Sequence, residues 1–180
     1  MPLSTPKAKL SARDIAVFSV WSAMMFLARQ GMQGLPNVHP LGILIAVQAL
    51  VYGRRALIPL YGYILLEGVF AGFSLWWMPY LYIWLPLWAA FVLFRRVRLS
   101  EKIKVPLFML VCGLHGLSFG LLYAPAQALM FGFSFRMTVA WVIAGLPFDI
   151  VHAIANAAIG SLILPLFYLV KRIESGAYRA

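Results

Sequence analysis

Acidic side chains are scarce in this chain of 180 residues, which has five Asp and Glu against fifteen Lys and Arg. Only 11% of residues are charged and 63% are hydrophobic, far from the roughly 25% and 45–50% of soluble domains. There is one cysteine, Cys112, so no disulfide can form within one chain, and its apolar setting reads as inert packing. No polar stretch is long enough for a separate soluble domain. Apolar runs about as long as a bilayer is thick follow one another almost without pause, so residues 1–180 read as a single all-α, polytopic membrane domain.

The net charge of +10 does not point to nucleic acid, because the basic residues sit at the ends of hydrophobic runs, where they set topology. The basic N-terminal segment "MPLSTPKAKLSARD" precedes a long span without a clear small-residue cleavage site, and reads as leading into a retained first helix. Proline, glycine and polar punctuation divide the chain into six candidate helices at 12–31, 40–53, 55–75, 77–95, 105–130 and 138–170. The last is over-long for one crossing, and Pro147 is expected to kink it or end a separate entry segment. With a cytoplasmic N-terminus, thirteen Lys and Arg fall on the inner side (Lys7, Lys9, Arg13, Arg54, Arg55, Arg95, Arg96, Arg98, Lys102, Lys104, Lys171, Arg172, Arg179). Only Arg29 and Arg136 fall outside, which predicts a six-helix bundle with both termini cytoplasmic.

The polar residues of the spans then fall into one half of the bilayer. At about 1.5 Å per residue, Asp149 lies roughly 33 Å, His152 about 28 Å and Asn156 about 22 Å above Lys171. Glu67 is roughly 18 Å above Arg55, His115 about 16 Å above Lys104, and Arg29 about 24 Å above Arg13. This asymmetry describes a pocket open to the outside and sealed below. Within "LPFDIVHAIANAAIG" (146–160), Asp149, His152 and Asn156 share one helix face and offer acceptors and donors to a ligand, or to a neighbouring helix. Glu67 must be neutral, paired or turned to a polar cavity, since a charge near the bilayer centre costs about 2.5–3.5 kcal/mol.

"WWMPYLYIW" (76–84) supplies Trp76, Trp77 and Tyr80, as an interfacial aromatic belt or as stacking partners for a flat ligand. "LPNVHP" (35–40) gives Asn37 and His39 defined directions in an outer loop, a lid or a plain turn. Small-residue pairs such as Gly68/Gly72 and Gly116/Gly120 allow close helix approach. The basic loop "RRVRLSEKIK" (95–104) reads as a topology determinant and anionic-lipid contact.

The segment "LPNVHPLGILIAVQALVYGRRALIPLYGYILLEGVFAGFSLWWMPYLYIWLPL", followed by "AGLPFDIVHAIANAAIG", resembles the substrate-binding S components of energy-coupling factor (ECF) transporters. The resemblance implies capture of a vitamin or similar small-molecule micronutrient in the outer half of a six-helix bundle. It also implies as partners a transmembrane T component and two cytoplasmic ATPases, which hydrolyse ATP, and no cofactor or catalysis in this chain. The family's AxxxA-type docking face falls on Ala12, Ala16 and Ala23, with Ser19 and Val20 interrupting the series. The nickel and cobalt members carry a histidine after the initiator methionine. Pro2 stands there, which argues against a metal-ion substrate. The substrate contacts expected are Asp149 and His152 first, then Asn156, Glu67 and Arg29, with Trp76, Trp77 and Tyr80 stacking and Asn37 and His39 in the loop.

Two alternatives stay open. A CAAX-type intramembrane metalloprotease is suggested by "FDIVH" and "HAIAN", which fit FxxxH and HxxxN but share His152, while the EExxxR pattern is missing because Glu67 stands alone. A structural membrane subunit without a ligand is the other. The topology gives a direct test: tags at either terminus should be protected from protease added to intact spheroplasts, and cleavage at both ends would contradict it.

Overall fold

Helix α2 (Leu41–Tyr52) is apolar around nearly its whole circumference, and a helix of that kind is stable only where every side is covered. In the computed structural model, which describes residues 10–35 and 37–176, nine of its twelve residues are buried. Pro2, Lys7, Lys9, Pro36 and Arg179, singled out above, lie outside the described residues. The other helices are α1 (Ala12–Gly31), α3 (Leu57–Ala71), α4 (Tyr80–Ile83), α5 (Leu85–Phe94), α6 (Glu101–Leu117), α7 (Phe119–Phe131), α8 (Phe135–Gly160) and α9 (Ile163–Gly176), of which α1, α5, α8 and α9 pack on α2. The described residues form no strand. The stretches Leu41–Ala71, Glu101–Phe131 and Phe135–Gly160 are long and apolar enough to cross a membrane. Large apolar side chains on the outer surface, including Leu129 at 86% and Phe135 at 87% exposure, suit a lipid-facing envelope rather than water.

The expected spans differ from the observed helices at their joints, each for a local reason. The first runs over residues 12–31 as expected and starts with a capping box: Ser11 Oγ accepts from the Asp14 amide at 3.1 Å, and Asp14 accepts from the Ser11 amide at 2.9 Å. Between α2 and α3, Gly53 adopts φ +60°, a conformation other residues rarely accept, and a 3-10 turn over Gly53–Ala56 joins the two. The 77–95 span is divided at Trp84 into α4 and α5, with Pro86 in the first turn of α5. The 105–130 span starts earlier, at Glu101, and is divided at Ser118 into α6 and α7.

Of the two expectations for the last span, that Pro147 ends a separate entry segment is corrected. Helix α8 runs unbroken through Pro147, and the break comes fourteen residues later at Ser161–Leu162. There the amides of Ser161 and Leu162 turn to the carbonyls three residues back, Ala158 and Ile159. Pro165 then sits in the first turn of α9, where its missing N–H costs nothing.

Helix α8 packs most extensively on α6, and glycines set how close the two come. A Cβ on Gly116 would lie 2.9 Å from the Ala153 nitrogen and from the His152 carbonyl, all main-chain atoms. One on Gly113 would stand 3.2 Å from the Ala157 Cβ, and one on Gly160 would stand 3.1 Å from the Met109 Cα. Such close contact lets backbones pack where lipid removes the hydrophobic drive for association. The face of α8 turned inward is Asp149, His152, Asn156 and Gly160, and these are its only buried residues.

Ionic contacts gather the chain's ends. Arg13 donates to Glu174 at 2.7 Å, Tyr52 donates to the same carboxylate at 2.9 Å, and Trp21 donates to Tyr52 at 3.2 Å. Arg55 lies 3.6 Å from Asp14. The start of α1 and the end of α9 therefore meet at one end of the bundle, and Arg29 lies at the other end of α1.

Gly116→Val should lower unfolding free energy by about 1–3 kcal/mol, because neighbouring backbone cannot yield cheaply to the added carbons. Gly145→Ala on the same pair's open side should be neutral or stabilising by up to about 1 kcal/mol. Thermal unfolding in detergent compares the two, and equal stability of both variants would contradict the close crossing.

Candidate functional site

The end of the bundle opposite the start of α1 and the end of α9 holds a small cavity of about 200 Å³, and the elements around it explain its position. Helix α1 delivers Arg29 in its last turn, the following loop delivers Asn37 and His39, α4 delivers Tyr80, α7 delivers Phe119 and α8 delivers His152. The loop is fixed to α8 by Asn37, whose φ of +60° suits an Asn and whose Nδ2 donates to the Phe148 carbonyl at 3.2 Å.

Arg29 spans from α1 to α3 and donates to Glu67 Oε2 at 2.9 Å. The Glu67 side chain is fully buried while that of Arg29 is 26% exposed, so the arginine joins an interior carboxylate to the cavity. A buried carboxylate survives only when paired, and removing its partner typically costs 3–5 kcal/mol. The Tyr80 hydroxyl adjoins the Arg29 guanidinium. The Tyr63 hydroxyl lies beside Glu67 without completing good hydrogen-bond geometry, which leaves Glu67 Oε1 and Tyr63 OH without partners.

Deeper in, five rings form a closed circuit. His39 meets Trp84 at 6.2 Å between centroids, Trp84 meets His115 at 5.6 Å, and His115 meets Phe119 at 6.3 Å. Phe119 meets His152 at 4.9 Å, and His152 returns to His39 at 5.0 Å. His115 Nε2 is engaged by the Ile83 carbonyl at 2.9 Å. His39 Nδ1, Trp84 Nε1 and His152 Nε2 are buried without a hydrogen-bond partner among the described residues. Each such atom costs about 1–3 kcal/mol, and buried polar groups are as a rule satisfied. Chemically, the circuit offers flat apolar faces, one indole donor and two imidazole nitrogens that donate or accept according to tautomer.

Of the residues expected to contact a ligand, Arg29, Asn37, His39, Tyr80 and His152 line the cavity, with Glu67 directly behind Arg29. The others are engaged elsewhere. Asp149 accepts from the Gly120 amide with both oxygens at 3.2 Å, near the start of α7. Ser118 provides no side-chain cap there, so Asp149 acts as a cap reaching across from α8. Asn156 lies against Gly42, where a Cβ would stand 2.9 Å from its Oδ1. Trp77 donates to the Ile64 carbonyl at 2.7 Å, and Trp76 stands edge-to-face with Tyr80 at 5.6 Å. Ala12, Ala16 and Ala23 are exposed on α1, as are Ser19 and Val20. Sequence reasoning missed Phe119 and Tyr63, and it left Trp84 within the aromatic segment 76–84 without naming it as a ligand contact. Phe119 follows the helix break at Ser118, and Tyr63 stands one helical turn before Glu67, which was the available signal for it.

Among the described residues no group of three or more His, Cys, Asp or Glu is arranged to hold a metal ion. No protein-family model matches the chain, and neither the curated proteins nor the solved structures give a match.

Asp149→Ala should cost about 1.5–3 kcal/mol, the range for a hydrogen bond to a charged group. It should also speed hydrogen exchange at the Gly120 amide in the folded protein. Unchanged exchange at that amide would show that the carboxylate is not its cap.

Proposed function

We propose that the chain is the substrate-capture subunit of an ATP-driven micronutrient importer, an S component of the ECF type. It sits in a prokaryotic plasma membrane as six spans with both termini cytoplasmic. A transmembrane T component and two cytoplasmic ATPases work with it, and ATP is hydrolysed there. The ligand is a small polar molecule, of a size with a cavity below the roughly 300–1,000 Å³ of drug-sized sites, and a ring in it would be met by aromatic faces.

One observation carries this reading: buried, unpartnered nitrogens of His39, Trp84 and His152 adjoin or line a cavity that also takes in Arg29 and Tyr80. A structural subunit has no use for that arrangement, since each unsatisfied atom weakens the fold. The cavity lies at the end away from the start of α1 and the end of α9, so a cytoplasmic position for that opposite end turns it outward, as capture from outside requires. Ala12, Ala16 and Ala23 leave a smooth exposed strip on α1 that suits a transmembrane partner.

The test is native mass spectrometry of the gently solubilised protein beside His152→Ala and Asp149→Asn. An organic molecule should copurify with the parent and with Asp149→Asn, and its occupancy should fall about five- to thirtyfold in His152→Ala, as the loss of 1–2 kcal/mol implies. Stoichiometric zinc with no organic molecule would overturn the importer and revive the metalloprotease.

A further inference from the structure

At the end of the bundle that holds the start of α1 and the end of α9, three cations line a second cavity of about 260 Å³. Arg95 comes from the end of α5, Lys104 from the first turns of α6 and Lys171 from α9. The walls between them are apolar and include Phe94, Phe108 and Phe167. Lys171 Nζ lies 5.3 Å from the Phe167 ring centroid, a cation–π distance. Arg95 also borders an adjoining cleft with Arg54 and Arg96.

Among the described residues no carboxylate serves these cations. All five Asp and Glu are engaged elsewhere: Asp14 with Ser11 and Arg55, Glu67 with Arg29, Glu101 with Tyr168, Asp149 with Gly120, and Glu174 with Arg13 and Tyr52. Among the described residues no salt bridge reaches Arg95, Lys104 or Lys171. The arrangement is also built into the backbone. The Arg95 guanidinium occupies the space above Gly53, where a Cβ would fall 1.8 Å from Nη1. Trp88 fixes that turn by donating to the Gly53 carbonyl at 3.1 Å.

Three cations lining one cavity attract an anion, and their donors suit a phosphate. The geometry points to a site for one anionic phospholipid, with its phosphodiester on Arg95, Lys104 and Lys171 and its upper acyl carbons against Phe94, Phe108 and Phe167. The aromatic walls favour a lipid over free phosphate, whose hydration they cannot replace. Basic cavities between helices on the cytoplasmic side are a known form of lipid recognition. This site requires that the helices lie in a bilayer and is independent of the transport reading, so either can fail alone.

The experiment is native mass spectrometry of the whole protein in detergent with phosphatidylglycerol, with phosphatidylcholine of the same chains, and with inorganic phosphate as competitor. Variants are Arg95→Gln, Lys104→Gln, Lys171→Gln, their triple combination, and Arg172→Gln, which lies beside Lys171 outside the lining. One phosphatidylglycerol should be retained in preference to phosphatidylcholine, and inorganic phosphate should not displace it. Each single pocket variant should weaken retention about fivefold, and the triple variant by on the order of a hundredfold, while Arg172→Gln retains it. Equal retention of both lipids, or an equal loss in Arg172→Gln, would overturn the proposal by reducing it to general charge. Displacement by millimolar phosphate would make it a free-anion site, and retention of a polyglutamate peptide in place of lipid would make it an acidic-protein site; each overturns the lipid assignment.

Discussion

The second half of helix α8 turns Asp149, His152 and Asn156 inward and its large apolar residues outward, and much of the structure follows from having to satisfy that inner face. In an apolar setting an unmet polar atom finds no water, so each residue of the stripe needs its own solution. Asp149 finds the Gly120 amide, Asn156 finds room against Gly42, and Gly160 lets Met109 approach. His152 alone keeps a buried nitrogen unpartnered, and it is the member of the stripe that borders the cavity. Three positions of one face thus have their contacts within the protein, and the fourth keeps a ring nitrogen without one among the described residues.

The two ends of the bundle use charge differently. Around Arg29 the interior carboxylate of Glu67 is neutralised by a single arginine, and the remaining polar atoms belong to neutral side chains suited to selective hydrogen bonding. At the end holding Arg13 and Glu174, cations outnumber the carboxylates available to them, and Arg95, Lys104 and Lys171 stay together unneutralised. The first arrangement suits discrimination among small polar molecules, whereas the second suits an anionic surface.

The helical class, the first helix and the inward stripe of α8 were legible because composition and spacing alone specify them. The joints were less so. Pro147 looked like the breaker of the last span, yet the helix tolerates it, and the break falls where Pro165 can occupy a first turn. Asp149 was legible as a member of the polar stripe but not as a cap for α7, since a cap arriving from another helix leaves no local pattern. The converging rings of His39, Trp84, His115, Phe119 and His152 come from five separate elements or loops, and sequence spacing cannot encode such a meeting. Arg29 and Glu67 were each recognisable as charges needing company, and tertiary structure made them each other's partner.

The central claim is that the polar face of α8 opens to the outside at His152. It is tested most directly by thiol accessibility in intact cells, on a Cys112→Ser background that removes the only native cysteine. In that background His152→Cys should react with a small membrane-impermeant thiol reagent added outside, and the reaction should not require permeabilisation. Labelling only after the cytoplasmic face is exposed would place the cavity on the wrong side and contradict the account.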